Sequence, residues 1–318
     1  MVSFTSADPA HAHKRSLPAV RERKQKLTCR LSDSGFEEEL VPSTEPRSAQ
    51  LTWYQQYGDT GLQIQKEKEE DFHPCHSLAH QPQVTAEARC KLVSWLLPVH
   101  QHLGLSFECS CLTVNILDRF LACTPVAADC FQLLGVTALL LASKQVEVFS
   151  PRVSSLLSLC CNIFTKDQLC NLECLILVRL KFRLCAPTVA FFLDCYANLT
   201  TENDTAKLRN RATVKLAQKL CELSLADYAF NKYPPSLTAK CALRIAGEVA
   251  REAVSPLVPD WDSFVDGKEG GSMCTEDWDS GCPMETTCLM QECVSNLRLL
   301  ASLNHEALTV CGGSKKSA

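Results

Sequence analysis

The chain has 318 residues, enough for two compact domains and a tail. Glycine (12) and proline (15) are sparse, which argues for helices and against a sandwich or barrel. Basic residues (32) trail acidic ones (36), so the formal charge of −4 lacks the basic surplus of a dedicated nucleic-acid binder.

Residues 1–48 carry little apolar periodicity and much Ser, Pro, Arg and Glu, and are read as a disordered tail. Their opening, MVSFTSADPAHAHKRS, lacks the apolar core of a secretory leader, so the protein is expected to be intracellular, in cytoplasm or nucleus. Lys14 to Lys26 form a basic cluster of nuclear-import type. Asp33 to Glu39, DSGFEEE, resembles a phosphodegron. Phosphate on Ser34 would give the Arg-lined receptor of a ubiquitin ligase a dense anionic target.

Residues 49–81 form an N-terminal helix or linker. Leu51, Tyr54 and Tyr57 make a short apolar stripe, and Gly58 and Gly61 argue against one continuous helix. His73, His76 and His80 follow in a charged linker with no companion cysteine or carboxylate array; they are read as surface histidines, and no metal site is expected.

A first helical domain spans 82–185. Thr85 caps its first helix, with Val84, Ala88, Leu92, Trp95 or Leu96, Val99 and Leu103 on one face and Pro98 as a kink. Gly104 stops that helix and Ser106 caps the second. Thr124-Pro125 should open the third, which runs through the uncharged CFQLLGVTALLLAS and is expected to be buried on all sides but too short for a bilayer. Ser150-Pro151 should start a short fourth. Thr165 to Gln168 form a capping box for the fifth, with Leu169, Leu172, Ile176 and Leu180 inward.

A second helical domain spans 186–311. PTVAFFLDCYANL, AKLRNRATVKLAQKLCELSLADYAF and PPSLTAKCALRIAGEVAREA read as three helices, and METTCLMQECVSNLRLLASL as a last one. The loop 255–285 carries eight acidic residues against Lys268 alone and is expected to be disordered.

No phosphate loop, HExxH, nucleophile elbow or kinase signature set occurs, so neither catalytic residues nor cofactors are expected. The 20 cysteines include no CxxC pair and fall in helical segments, where they read as small buried hydrophobes in a reducing compartment. Two charges stand on apolar helix faces, Arg89 and Asp118. Burying either alone would be costly, so they are expected to form a buried structural ion pair.

ARCKLVSWL followed by VNILDRFL resembles the opening of a cyclin box, and five helices around one buried helix match the cyclin-box plan. The resemblance implies an all-α fold of two tandem five-helix boxes, the second degenerate. It also implies a regulatory subunit that binds and activates a cyclin-dependent protein kinase, with neither nucleic acid nor membrane as a partner. Lys144 in ALLLASKQVEV and Glu173 in LCNLECLILVRL match the pair that grips the backbone around the kinase's PSTAIRE-type helix in cyclins. Val146, Val148 and Phe149 would add apolar contact. The substrate-docking patch of the family, written MRAIL and then Trp, is matched by Arg89, Leu92 and Trp95, but Ala88 replaces the methionine and Lys91 an apolar residue, which should weaken capture of Arg-x-Leu motifs. One branch of the family further implies cell-cycle control and centriole amplification in multiciliated cells. The alternative is a cyclin-fold scaffold that binds transcription factors or nucleic acid without a kinase.

Overall fold

The computed structural model describes residues 48–74, 76–199, 204–252 and 284–304. The tail with Lys14, Lys26 and Ser34, and the acidic loop 255–285 apart from Met284 and Glu285, lie outside the described residues.

Ten α-helices make up the described fold: α1 (Ser48–Phe72), α2 (Ala86–His102), α3 (Phe107–Cys123), α4 (Phe131–Val146), α5 (Val153–Leu159), α6 (Lys166–Arg179), α7 (Val189–Leu199), α8 (Asp204–Ala226), α9 (Pro235–Glu252) and α10 (Met284–Leu303). Two hydrophobic cores divide them. One runs from Val84 to Leu180 and gathers α2–α6. The other runs from Val189 to Ala301 and gathers α7–α10, with Cys111 of α3 reaching into it.

Local signals start three helices of the first domain. The Thr85 hydroxyl accepts from Ala88 N at the head of α2, and Ser106 accepts from Cys109 N at the head of α3. Thr165 and Gln168 close a reciprocal capping box on α6. Gly104, at φ +66°, turns the chain between α2 and α3 where a side chain would be strained. The centre of the domain is α4, buried from Leu133 to Ser143 on every face. Such a helix can be stable only as the middle of a bundle, and α2, α3 and α6 pack around it. Gly135 sets how near α2 comes: a Cβ there would lie 2.9 Å from Leu92 Cδ1.

Three boundaries differ from the sequence reading. First, α1 runs unbroken through Gly58 and Gly61. Two helix-interior glycines cost about 1 kcal/mol each, and packing along α7 and α9 offsets that. Second, Thr124-Pro125 does not open a helix. Thr124 is the extended C-cap of α3, and the chain passes through a 3-10 turn at Ala128–Cys130 before α4 begins. The reason is Gln81, whose amide donates to the carbonyls of Leu121 and Thr124 while its oxygen accepts from Val126 N, pinning this corner open. Third, α5 starts at Val153, beyond Ser150-Pro151.

In the second domain α8 stops at Ala226. Asp227 then caps a 3-10 turn, Tyr228–Lys232, by accepting from Ala229 N. Fifteen described cysteines are free thiols, eight of them buried; Cys123, Cys161, Cys174, Cys185 and Cys288 are exposed, so the reading of all as core hydrophobes is too broad. No helix of the described residues is long and apolar enough to cross a membrane.

Candidate functional site

The helical hairpin α2–α3 brings Arg89 and Asp118 face to face. Nε and Nη2 of Arg89 donate to the two carboxylate oxygens at 2.7 and 2.6 Å, and both side chains are 3 % exposed. The guanidinium also reaches across the domain boundary. Its Nη1 donates to the carbonyls of Leu225 (3.1 Å) and Ala226 (3.3 Å), the last of α8, and its Cζ lies 5.6 Å from the centroid of the Tyr228 ring. A cation there satisfies carbonyls that the end of a helix leaves open. Burial works against the charge on Arg89, but the Asp118 carboxylate outweighs it and holds the guanidinium above its ordinary pKa. Each guanidinium nitrogen and both carboxylate oxygens have a partner within the protein, so the pair ties α2, α3 and α8 together.

Lys144 and Glu173 are arranged differently. Lys144 is the one charged residue of the buried helix α4, Glu173 lies midway along α6, and Nζ donates to Oε1 at 2.6 Å. The lysine side chain is 46 % exposed and the glutamate 16 %. An ammonium has three N–H donors and a carboxylate two acceptor oxygens. The pair thus presents further donors and acceptors side by side at the surface, which suits a ligand carrying both, such as peptide backbone.

Exposed apolar residues lie near the C-terminal ends of the two helices that carry the pair. Beyond α4, Val148 is 91 % exposed and Phe149 88 %, while Val146 is half-buried. Val178 and Phe182 are also exposed, and the sequence reading did not single them out. Phe182 follows the end of α6, where Lys181 and Phe182 both take left-handed φ values of 53° and 57°. The available signal was an aromatic residue placed after an amphipathic helix has ended, off its buried stripe. Gln145 Nε2 donates to Cys185 Sγ at 3.1 Å, so the segment after Phe182 is held beside the end of α4. The N-terminal helix is fastened here as well. Phe72 is packed by the guanidinium groups of Arg119 (4.7 Å) and Arg183 (4.8 Å), and Arg183 pairs with Asp71 at 2.7 Å.

The docking-patch residues are spread over two environments. Leu92 is buried in the first core against Gly135, and Ala88 and Trp95 are half-buried at its margin. Lys91 is exposed and pairs with Glu87 at 2.6 Å. Of the three histidines, His76 and His80 are exposed, whereas His73 turns inward at the domain seam. Among the described residues no group of three or more His, Cys, Asp or Glu is placed to hold a metal ion.

Comparison with known proteins adds to this geometry. The sequence matches the family "Cyclin, N-terminal domain" over residues 61–185 and "Cyclin, C-terminal domain" over 187–263. It is 44 % identical over 324 residues to Cyclin-O protein B of Xenopus laevis, covering 94 % of this chain and 82 % of that one. To Cyclin-O of Homo sapiens it is 46 % identical over 269 residues, covering 84 % and 71 %. Among solved structures, a viral cyclin from herpesvirus saimiri has the same fold, with a TM-score of 0.56 at 24 % identity, covering 76 % of this chain and 98 % of that one.

Proposed function

The chain belongs to the cyclin family, and from that premise we propose that it binds and activates a cyclin-dependent protein kinase through the face around Lys144 and Glu173. Cyclins are regulatory subunits and not enzymes, which agrees with a site built to bind and not to react. The observation that carries the proposal is the 2.6 Å ion pair at the solvent edge, with exposed Val148, Phe149, Val178 and Phe182 at or just beyond the C-terminal ends of the two helices that bear it. Exposed large apolar residues gathered near a polar anchor are what a protein partner covers.

A kinase whose C-helix is rotated outward cannot form the Lys–Glu pair that orients the ATP phosphates. A rigid helical face that binds the inward arrangement better shifts the population toward it. Reversing a 1:99 population to 99:1 takes about 5.5 kcal/mol of differential affinity. In this reading Lys144 donates to backbone carbonyls and Glu173 accepts from backbone N–H groups at one end of that helix, fixing register. The apolar residues supply area. The domain division follows the same reading: 49–81 as the N-terminal helix and linker, 82–185 as the first box and 186–311 as the second.

Similarity to Cyclin-O extends the proposal to cell-cycle control and to centriole amplification in multiciliated cells. A ubiquitin-ligase receptor reading phosphorylated Ser34 is proposed from the sequence alone, and an unchanged half-life for Ser34→Ala would dismiss it. The central test is the full chain carrying Lys144→Ala and Glu173→Ala. Kinase should no longer co-purify while helicity by circular dichroism stays at the parent value. Equal kinase recovery by mutant and parent would refute the assignment.

A further inference from the structure

Among the described residues one serine and one threonine stand directly before a proline, Ser150-Pro151 and Thr124-Pro125, and the fold treats them in opposite ways. Thr124 is 4 % exposed as the C-cap of α3, in the corner that Gln81 pins. Ser150 is exposed, in the loop between the end of α4 at Val146 and the start of α5 at Val153. Glu147 before it and Arg152 after it have extended backbones, with ψ of 148° and 140°, and a residue ahead of proline is itself biased to extended conformations. From Val148 to Pro151 no hydrogen bond ties the chain to the rest of the described residues.

A serine in such a segment can enter the active site of a protein kinase without local unfolding, since no bond has to be broken first. Pro151 narrows the class of kinase. Proline brings no N–H, so a pocket with apolar walls and no acceptor takes it freely, whereas any other residue there would bury an unpaired donor. A kinase with that pocket after the acceptor residue is proline-directed.

We propose that Ser150 is a phosphorylation site for a proline-directed serine/threonine kinase, and that its phosphate weakens docking of the cyclin-dependent kinase; the second half rests on the function proposed above. In the transfer Ser150 Oγ bonds to the γ-phosphorus of ATP and the bond from that phosphorus to its bridging oxygen breaks. ADP leaves, and the hydroxyl proton passes to the catalytic aspartate of the modifying kinase. The product carries a charge of about −1.5 to −2, next to Phe149 and two residues from Val148, which are 88 % and 91 % exposed. A partner that covers those two would have to strip water from the phosphate. Glu147, three residues back, adds a second negative charge to the segment. Arg152, exposed two residues on, is a solvated cation that offsets little of it. Phosphate and docked kinase are therefore alternatives: a seated kinase shields Ser150, and a phosphorylated Ser150 discourages seating.

The test incubates the purified full chain with ATP, Mg²⁺ and a mitogen-activated protein kinase as the proline-directed probe, and maps the phosphate by mass spectrometry. Ser150 should be modified and Thr124 spared, and Pro151→Ala should slow incorporation at Ser150 by about tenfold. A catalytically inactive cyclin-dependent kinase, bound beforehand, should protect Ser150 from the probe. By surface plasmon resonance the modified chain should bind the cyclin-dependent kinase about tenfold more weakly, whereas Ser150→Ala treated in the same way should bind as the untreated parent does. No phosphate on Ser150, equal phosphate on Thr124, incorporation that ignores Pro151, or full affinity after modification would each overturn the proposal. An unmodified chain that does not bind the cyclin-dependent kinase would strike the docking reading and the second half with it, while the peptide map still decides whether Ser150 is the acceptor.

Discussion

Arg89–Asp118 and Lys144–Glu173 each join residues 29 positions apart on neighbouring helices, and their surroundings give them opposite roles. The first pair is sealed between α2, α3 and α8 at 3 % exposure, with its donors spent on a carboxylate and two helix-end carbonyls. The second sits at the edge of the bundle with half of the lysine in solvent. A buried pair must be fully satisfied to offset the loss of hydration, so it holds structure together. An exposed pair contributes little to stability, and its unused valences remain for a partner. Charge pattern alone does not separate the two; solvent does.

Removing one member of the sealed pair should have the largest effect. Asp118→Ala strands the guanidinium and is expected to cost about 3–5 kcal/mol, read as a lower urea midpoint at unchanged slope. The double substitution Arg89→Met with Asp118→Leu should cost less than Asp118→Ala, because no charge is then left unanswered. A loss within 1 kcal/mol for Asp118→Ala would erase the distinction between the pairs.

Lys144→Ala should give the converse result. Stability is expected to change by less than about 1 kcal/mol, while affinity for the kinase falls by about 100-fold, as when one side of a charged interface contact is truncated. Surface plasmon resonance against an immobilised cyclin-dependent kinase separates the two readouts. A large loss of stability with little loss of affinity would place the pair among the structural ones.

Local chemistry was legible in the sequence, and contacts between distant segments were not. Thr85, Ser106 and the Thr165–Gln168 box act within one turn, so their residue types alone mark where α2, α3 and α6 begin. The uncharged run before Lys144 showed that α4 is central. Asp118 was readable as the partner of Arg89 because both stand on apolar faces, but the bond from Arg89 to Leu225, 136 residues away, leaves no local trace. The same holds for Gln81, which delays the start of α4 through contacts more than 40 residues distant. Spacing put Leu92 on the apolar face of its helix, but its neighbour across the helix interface, Gly135, is invisible to periodicity. His73 was read as exposed because the walls that cover it come from both domains.

Glu69 sharpens the comparison from a third direction, as a buried carboxylate answered by a helix N-terminus in place of a guanidinium. It accepts from Ser236 N (2.9 Å) and Oγ (2.8 Å) at the head of α9, fastening α1 to the second domain. Burial raises its pKa more than Ser236 and Lys66 lower it. The folded state therefore binds the Glu69 proton more tightly than the unfolded chain. Its contribution is greatest below the unfolded pKa near 4.5 and declines as pH rises through the raised folded value. Glu69→Gln should flatten the stability profile above pH 4.5 and leave the protein at least as stable at pH 7. A profile identical to the parent's would show that Ser236 compensates the burial in full.

The smallest expected effect concerns the turn that carries the exposed face. Lys181 holds a φ of 53° just before Phe182, a left-handed conformation that costs a residue with a Cβ about 1 kcal/mol. No such cost falls on glycine, so Lys181→Gly should relieve it, offset in part by the greater freedom of the unfolded chain. A net gain of a few tenths of a kcal/mol is expected, visible as a slightly higher melting midpoint. Kinase affinity should then fall modestly, because a glycine before Phe182 loosens the aromatic ring that the strained turn holds outward. Higher stability with unchanged affinity would mean that Phe182 needs no such support, and the exposed face would then rest on Lys144, Glu173, Val148 and Phe149.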